Sequence, residues 1–309
     1  MKSPSLNRAM VISGGGCKGA FGGGVAEYLI RHCQNDYDLF IGTSAGSLLV
    51  PLLALGEVER IKKVYTSIRQ KDIFNICPFI IKKHNRHFTY KINHFNTLRM
   101  FLKGKKTFGE SLSLRKLIRR TFTEDDYHRL RQSGVEVMVT VSNLSCNYVE
   151  YQSVHNNRYE DFCDWMWASA NVVPFMSLHY KDGMEYADGG FGNYLPLQEA
   201  LRRGAKEVDA IILQPKERDL KCQLPVSNPF ALLLRTYDFM LEQISIDDLD
   251  LGRLESLHRQ AQVNCYHTPR LLTENSFIFD PEQMTAWWQE GYEYALANAP
   301  NCVLIAGGG

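Results

Sequence analysis

The pentapeptide Gly42-Thr43-Ser44-Ala45-Gly46 constrains the fold of this 309-residue chain more than any other feature. It follows the apolar run Leu39-Phe40-Ile41 and precedes a second apolar run, so it predicts a strand that turns sharply into a helix. In a Gly-x-Ser-x-Gly turn of this kind the serine has a strained backbone, and its hydroxyl is exposed at the end of the strand. Glycine is needed on both sides because the strand and the helix approach closely there. The pattern predicts that Ser44 is a nucleophile that attacks an acyl carbon.

A glycine-rich loop precedes this turn, between a predicted strand at residues 9–13 and a predicted helix at residues 25–33. The loop, Gly14-Gly15-Gly16-Cys17-Lys18-Gly19, fits the pattern Gly-x-Gly-x-x-Gly of dinucleotide-binding proteins. That interpretation requires an acidic residue at the end of the second strand, where this chain has Ser44. The alternative is an oxyanion hole, in which the N–H groups of Gly15 and Gly16 lie beside Ser44. A nucleotide- or phosphate-binding module remains the competing interpretation of the loop.

A nucleophilic serine also needs a base, and Asp188 is the best candidate. It is followed by Gly189 and Gly190 and comes after a predicted strand at residues 184–187. Backbone can approach closely in such a loop, although Asp-Gly is equally typical of a simple hairpin turn. A Ser–Asp–His triad remains open, because His258 and His267 follow Asp188 in the chain order of α/β-hydrolases.

Strands alternate with helices along most of the chain, which predicts an α/β fold with a mainly parallel sheet covered on both faces. Further predicted strands lie at residues 135–141, 149–153, 208–213 and 277–279, and further predicted helices at residues 46–55, 161–170, 197–203 and 281–297. The segment at residues 60–132 has a mostly helical pattern and predicts an inserted cap. We expect a catalytic domain at residues 8–213 and a mostly helical extension at residues 214–309 that packs on it.

The inserted segment begins with a strongly basic stretch. Residues 60–106 contain 13 Lys and Arg and one acid, Asp72, so they carry a formal charge of +12 while the chain as a whole carries +1. Such asymmetry favours an anionic partner, either a membrane surface or a nucleic acid. Aromatic residues alternate with the cations, as in segments that bind lipid head groups, but a solvated cap would have the same composition. If the chain is an enzyme that acts through Ser44, contact with lipid is a simpler interpretation of the basic stretch than nucleic-acid binding.

Eight scattered cysteines form no Cys-x-x-Cys pair, so we expect no metal site and reduced thiols rather than a disulfide framework. The first ten residues lack the apolar stretch of a signal peptide. The longest apolar run, residues 48–55, is broken by Pro51 and is too short to cross a bilayer. These features predict a cytoplasmic protein whose membrane contact is peripheral, at the inner surface.

Three blocks in order, Gly14 to Gly19, Gly42 to Gly46, and Asp188-Gly189-Gly190, resemble those of the patatin-like phospholipase family. The resemblance extends from about residue 8 to residue 213 and matches the inserted segment poorly. It implies a three-layer α/β fold and a Ser44–Asp188 dyad without histidine, metal or organic cofactor. It further implies that the Gly14–Gly19 loop is the oxyanion hole, that Lys18 fixes the geometry of this loop, and that the substrate is a phospholipid or a related acyl lipid.

Overall fold

A mostly parallel sheet forms the centre of the computed structural model, which describes residues 6–84, 87–216, 225–226 and 228–299. The strands are β1 (Arg8–Ile12), β2 (Leu39–Thr43), β3 (Phe79–His84), β4 (His87–Ile92), β5 (Glu136–Asn143), β6 (Tyr148–Ser153), β7 (His179–Lys181), β8 (Met184–Asp188), β9 (Glu207–Pro215) and β10 (Gln262–Thr268). The helices are α1 (Gly19–Glu27), α2 (Ala45–Ala54), α3 (Val58–Tyr65), α4 (Gln70–Ile73), α5 (His94–Leu102), α6 (Leu112–Thr121), α7 (Glu124–Ser133), α8 (Tyr159–Ser169), α9 (Leu197–Arg202), α10 (Pro229–Arg259) and α11 (Pro281–Asn298).

The strand order brings the predicted loops to one edge of the sheet. The order is β10-β9-β1-β2-β5-β8-β7, with β6 also paired to β5. The first five of these strands are parallel, and β6, β7 and β8 add antiparallel pairs. In β1 and β2, Ile12 pairs with Gly42, so the glycine loop and the serine turn leave the sheet side by side. The predicted α/β fold with a mainly parallel central sheet is confirmed.

Both faces of the sheet are buried, as the apolar sequences of its central strands require. Along β1, Met10 and Ile12 belong to one hydrophobic cluster, and Ala9 and Val11 to another on the opposite face. This is the period-two alternation of a strand. Helices α1, α2 and α8 cover the first face and α9 covers the second, which gives three layers.

Helices α1 and α11 pack closely, and this contact explains the additional glycines of α1. A Cβ atom at Gly24 would lie 1.9 Å from the carbonyl oxygen of Trp288, and one at Gly23 would lie 2.2 Å from the Trp288 ring. From the other helix, a Cβ atom at Gly291 would lie 2.1 Å from the carbonyl oxygen of Phe21. Glycine costs about 1 kcal/mol relative to alanine in a helix interior, and here it permits backbone contact between helices.

Two segments differ from the sequence-based expectation. The predicted strand at residues 277–279 is wrong: this segment lies in a turn, and Phe277 and Phe279 line the main cavity. The strand of this region is instead β10, which pairs with β9 at the edge of the sheet. The basic segment contains helices as expected, but also the hairpin β3–β4, whose β-branched and aromatic residues favour extended backbone.

The cysteines and the helices bear on two further expectations. Among the described cysteines, the free thiols are those of Cys17, Cys77, Cys146, Cys163 and Cys265. Cys33 is disulfide-bonded, so the expectation of reduced thiols is wrong at that position. Cys222 and Cys302 lie outside the described residues. Among helices in the described part of the chain, none combines the length and the apolar character that crossing a bilayer requires.

Candidate active site

Ser44 lies at the turn from β2 into α2, with a backbone that L-residues rarely adopt (φ +54°, ψ −116°). Its N–H donates a hydrogen bond of 3.0 Å to the Ser169 hydroxyl, and its carbonyl accepts one of 2.6 Å from the Ser47 hydroxyl. A Cβ atom at Gly42 would lie 2.3 Å from the Gly46 carbonyl carbon, and one at Gly46 would lie 2.2 Å from the Ile12 carbonyl oxygen. The predicted strand–turn–helix is present, and both glycines are required by close backbone contact.

The glycine loop follows β1 and includes a 3-10 turn at Gly16–Lys18. Gly14 donates to the carbonyl of Tyr194 at 3.0 Å, and Cys17 donates to the carbonyl of Ser276 at 3.1 Å. Gly16 has φ +56°, and a Cβ atom there would lie 2.3 Å from the Ser276 carbonyl oxygen. Within the described residues, the N–H groups of Gly15 and Gly16 have no hydrogen-bond acceptor. Since both residues line the same cavity as Ser44, these two donors are available to an oxygen atom there.

Asp188 ends β8 and lies in that cavity as well. Its N–H donates to the carbonyl of Asn171 at 2.9 Å, and its Oδ1 accepts from the N–H of Gly190 at 2.8 Å. Its Oδ2 has no hydrogen-bond partner among the described residues. Burial raises the pKa of Asp188 from 3.8 to about 7, although contacts with Ser44 and Gly190 oppose this rise. A carboxylate with that pKa is a competent base near neutral pH.

The tight turn after Asp188 also depends on glycine. A Cβ atom at Gly189 would lie 2.3 Å from the carbonyl oxygen of Thr140, on the neighbouring β5. One at Gly190 would lie 2.9 Å from the Tyr194 ring. The loop therefore packs against both the sheet and Tyr194, which holds the carboxylate in place.

The cavity has a volume of about 270 Å³, and one wall is polar while the rest is mostly apolar. Gly15, Gly16, Lys18, Ser44 and Asp188 form part of the polar wall. The apolar lining includes Leu48, Ile68, Leu114, Met176, Phe277 and Phe279. Six of the predicted site residues do not line the cavity, and at each of them an added Cβ atom would lie within 2.9 Å of a neighbouring atom: Gly14, Gly19, Gly42, Gly46, Gly189 and Gly190.

Lys18 is buried in the wall of the cavity, which is also lined by two acids that no sequence pattern indicated, Asp238 and Glu242. Burial lowers its pKa, and the charges of Asp238 and Glu242 on α10 oppose this shift. Burial raises the pKa of Asp238 to about 6, while Lys18 acts in the opposite direction. A charge cluster beside the glycine loop is consistent with a structural role for Lys18. Asp238 and Glu242 lie four residues apart on one helix face, and the sequence pattern alone did not indicate which loop that face contacts.

Asp248 on α10 supports the segment that follows Asp188. Its Oδ1 accepts from the Asn193 side chain and its Oδ2 from the N–H of Leu195, both at 2.9 Å. Burial raises the pKa of Asp248 to about 7. The sequence shows no signal for this role, because Asp248 lies within a run of acids in a long helix.

The histidines considered for a triad lie outside the cavity. His258 is exposed near the C-terminal end of α10, and His267 is buried at the end of β10, where burial lowers its pKa. No histidine lines the cavity in the part of the chain that the structure describes. Among the described residues there is also no group of three or more His, Cys, Asp and Glu side chains arranged to hold a metal ion.

Comparisons with known proteins include a family match, a relative by sequence and a similar solved structure. The family model for patatin-like phospholipase matches residues 10–201. An uncharacterized Escherichia coli protein, YjjU, is 26% identical over 216 residues, which cover 68% of this chain and 52% of YjjU. The chain therefore aligns with about half of the length of this curated relative. The crystal structure of VipD from Legionella pneumophila aligns over 96% of this chain and 67% of its own, with a TM-score of 0.50 and 14% identity, a likeness of fold alone.

Proposed function

Because the chain belongs to the patatin-like phospholipase family, we propose that it is a lipid acyl hydrolase that uses Ser44 as nucleophile and Asp188 as base. The observation that carries this proposal is the shared cavity. It brings together a serine in a strained turn, a buried carboxylate with a raised pKa, and two backbone donors without acceptors. These are the groups that acyl transfer requires.

In the proposed reaction, Asp188 takes the proton of the Ser44 hydroxyl as the oxygen attacks the ester carbon. The N–H groups of Gly15 and Gly16 then stabilise the negative oxygen of the tetrahedral intermediate. The intermediate collapses to an acyl-enzyme, and the leaving alcohol receives the proton held by Asp188. Asp188 then deprotonates a water molecule as the water oxygen attacks the acyl-enzyme. When this second tetrahedral intermediate collapses, the bond to Ser44 breaks, Asp188 returns the proton to the Ser44 oxygen, and the fatty acid is released.

The apolar part of the cavity supports a substrate with an acyl chain. A second, smaller cavity of about 30 Å³ is lined almost wholly by apolar side chains, including Leu117, Ile118 and Phe122. The two cavities adjoin, because both are lined by Leu48, Tyr65, Ile68 and Leu114. In our proposal the acyl chain extends from Ser44 past Leu114. Phospholipids, lysolipids and neutral acyl esters all carry such a chain, and the head group is not assigned.

Two competing functions have less support. A Ser–Asp–His esterase would need a histidine in the cavity, and the described lining contains none. A nucleotide-binding module would use the Gly14–Gly19 loop, but the end of β2 carries Ser44 instead of an acid that could bind a ribose. A cytoplasmic location remains a prediction.

The test compares wild-type protein with Ser44→Ala and Asp188→Asn on phospholipids, lysolipids and a soluble ester of p-nitrophenol. We expect each variant to lose at least about 1,000-fold in kcat/KM while it remains folded by circular dichroism. A fluorophosphonate should label wild type and fail to label Ser44→Ala. His258→Ala and His267→Ala are the controls and should keep full activity. Full activity in Ser44→Ala, or saturable nucleotide binding without labelling of Ser44, would overturn the proposal.

A further inference from the structure

Helix α5 exposes its apolar side chains to solvent, which is the reverse of an ordinary surface helix. The exposed fractions are 77% for Phe95, 56% for Leu98, 53% for Phe101 and 81% for Leu102. The side that faces the protein instead contains Thr97 and Met100, both buried. We call the four exposed residues the α5 face. A cluster of this kind on a surface marks a site of interaction with another molecule or with a membrane.

Exposed cations without ion-pair partners lie on α5, directly after it and on the hairpin that precedes it. Within the basic segment, several cations are neutralised: Arg60 pairs with Asp126, Lys83 with Asp280, and Lys106 with Glu185. The exposed cations that form no ion pair with a described residue include Lys82, Lys91, Arg99 and Lys103. Arg99 belongs to α5, Lys103 follows its last residue, and Lys82 and Lys91 lie on the adjoining hairpin β3–β4. Four such cations therefore belong to α5, to the residue that follows it or to the adjoining hairpin, while Lys63, Arg69 and Lys71 of the basic segment lie outside these elements.

The α5 face is joined to the wall of the cavity by a chain of aromatic contacts. Ring centroids lie 6.0 Å apart for Phe101 and Phe108, 5.9 Å for Phe108 and Phe175, and 5.8 Å for Phe175 and Tyr237. Tyr237 lines the cavity that contains Ser44 and Asp188. Three ring contacts thus connect the exposed α5 face with the candidate site.

We propose that the α5 face docks the protein onto a bilayer that contains anionic lipids. Phe95, Leu98 and Leu102 enter the boundary between head groups and acyl chains, and the cations of α5 and of the hairpin meet lipid phosphates. Burial of the apolar side chains and electrostatic attraction to the lipid phosphates act together. This narrows the anionic contact expected for residues 60–106 to one helix and its adjoining hairpin. Binding is independent of catalysis, but its use in bringing lipid to Ser44 rests on the proposed hydrolase function.

Charge disfavours a second copy of the chain as the occupant of this surface. A two-fold symmetric contact places the same patch of both copies together. Arg99 and Lys103 of one copy would then approach the same cations of the other, and such like-charge contacts are unfavourable. An anionic bilayer complements both the apolar and the charged part of the surface.

The binding test uses the Ser44→Ala protein, so that lipid is not consumed, and sedimentation with vesicles of phosphatidylcholine with or without phosphatidylglycerol. We expect binding to the anionic vesicles and an affinity at least about tenfold lower for Phe95→Ser/Leu98→Ser/Leu102→Ser. Arg99→Glu/Lys103→Glu should lose the preference for phosphatidylglycerol. The matched control is Leu254→Ser/Leu257→Ser, which removes two similarly exposed leucines near the C-terminal end of α10. Helix α10 contacts α5 at its N-terminal end, through the rings of Phe230 and His94, so the control residues lie far from that contact along the helix.

Three results would overturn the docking surface: unchanged binding in the α5 variants, an equal loss in the control, or a wild-type dimer that the α5 variants dissociate. When the α5 substitutions are made in protein that retains Ser44, the variants should hydrolyse a soluble short-chain ester at the wild-type rate and vesicle lipid more slowly. If wild type hydrolyses neither substrate, the proposed hydrolase function fails and the sedimentation result still decides the docking surface. If α5 variants hydrolyse vesicle lipid at the wild-type rate, the docking surface has no role in the reaction.

Discussion

The N–H of Gly14 donates a hydrogen bond of 3.0 Å to the carbonyl oxygen of Tyr194. This bond joins the glycine loop after β1 to the segment after Asp188, although 180 residues separate them in the chain. The Tyr194 ring also packs on Gly14 and Gly190. The two loops that supply the proposed oxyanion donors and the proposed base are therefore positioned by one residue.

Activity should depend on the charge of Asp188. Since its pKa is raised to about 7, the carboxylate is the major form only above that pH, and kcat/KM should rise with pH to a plateau above about 7. The measurement is hydrolysis of a neutral soluble ester from about pH 5 to about pH 9. Asp238→Asn is the control, because Asp238 also titrates in the cavity. In this variant the rise of kcat/KM with pH should stay at the same pH as in wild type. A flat profile would contradict the role of Asp188.

The stability of the folded protein should fall as the pH rises, whereas kcat/KM should rise. The pKa of Asp188 is higher in the folded state than its ordinary value of 3.8, so folding binds a proton between these values and the free energy of unfolding falls as pH rises through this window. The loss of stability that comes from burying the Asp188 carboxylate is absent below about pH 4 and complete above about pH 7. Asp188→Asn removes it.

We therefore expect Asp188→Asn to exceed wild type in the free energy of unfolding at pH 8 by at least about 1 kcal/mol, and to match it below about pH 4. Urea unfolding of both proteins at each pH measures the difference. Asp248 titrates in the same range in both proteins and cancels. Equal stability of the two proteins at pH 8 would show that the carboxylate is not buried at a cost.

Gly24→Ala should destabilise the protein even though alanine is the better helix former. The new Cβ atom would lie 1.9 Å from the Trp288 carbonyl oxygen, so α11 must move away. The cost of such overpacking, about 1–3 kcal/mol, exceeds the gain in helix propensity of about 1 kcal/mol. Gly22→Ala is the matched change in the same helix. It meets only side-chain atoms, the nearest at 3.2 Å, and thermal unfolding should place it within about 1 kcal/mol of wild type.

Leu114→Trp should shift the acyl-chain preference. Leu114 lines both cavities, and a larger ring there would occupy space where they adjoin. We expect kcat/KM to fall at least about tenfold for a long-chain ester and to change little for a butyrate ester. Leu117→Trp changes a residue that lines only the smaller cavity, so it should affect only the longest chains. Equal losses for all chain lengths would indicate general damage.

The sequence indicates the elements of the site better than its surroundings. The turn at Ser44 and the glycine loop are local patterns, because close backbone contacts require glycine at fixed positions. The same holds for the neighbouring strands, whose apolar runs predict burial on both faces. Whether Ser44 and Asp188 form the catalytic pair remains a prediction.

Non-local contacts account for what the sequence does not indicate. Asp238 and Asp248 acquire their roles only when α10 lies against the loops, and nothing in their own neighbourhood specifies that contact. The apolar residues 277–279 predict a strand because pattern alone does not distinguish a sheet from a cavity wall. The hairpin β3–β4 is not predicted from the sequence, because its lysines give the segment the composition of a basic helix.

The contact between the glycine loop and Ser276 has a consequence for the order of synthesis. Cys17 donates to the Ser276 carbonyl, and Gly16 packs on the same residue, so the first loop of the fold is completed by a segment that is synthesised long after it. A nascent chain that contains Ser44 and Asp188 but stops before residue 276 lacks this acceptor. The proposed oxyanion donors would therefore acquire their geometry only after Ser276 has been synthesised, and the proposed hydrolysis could not begin before then.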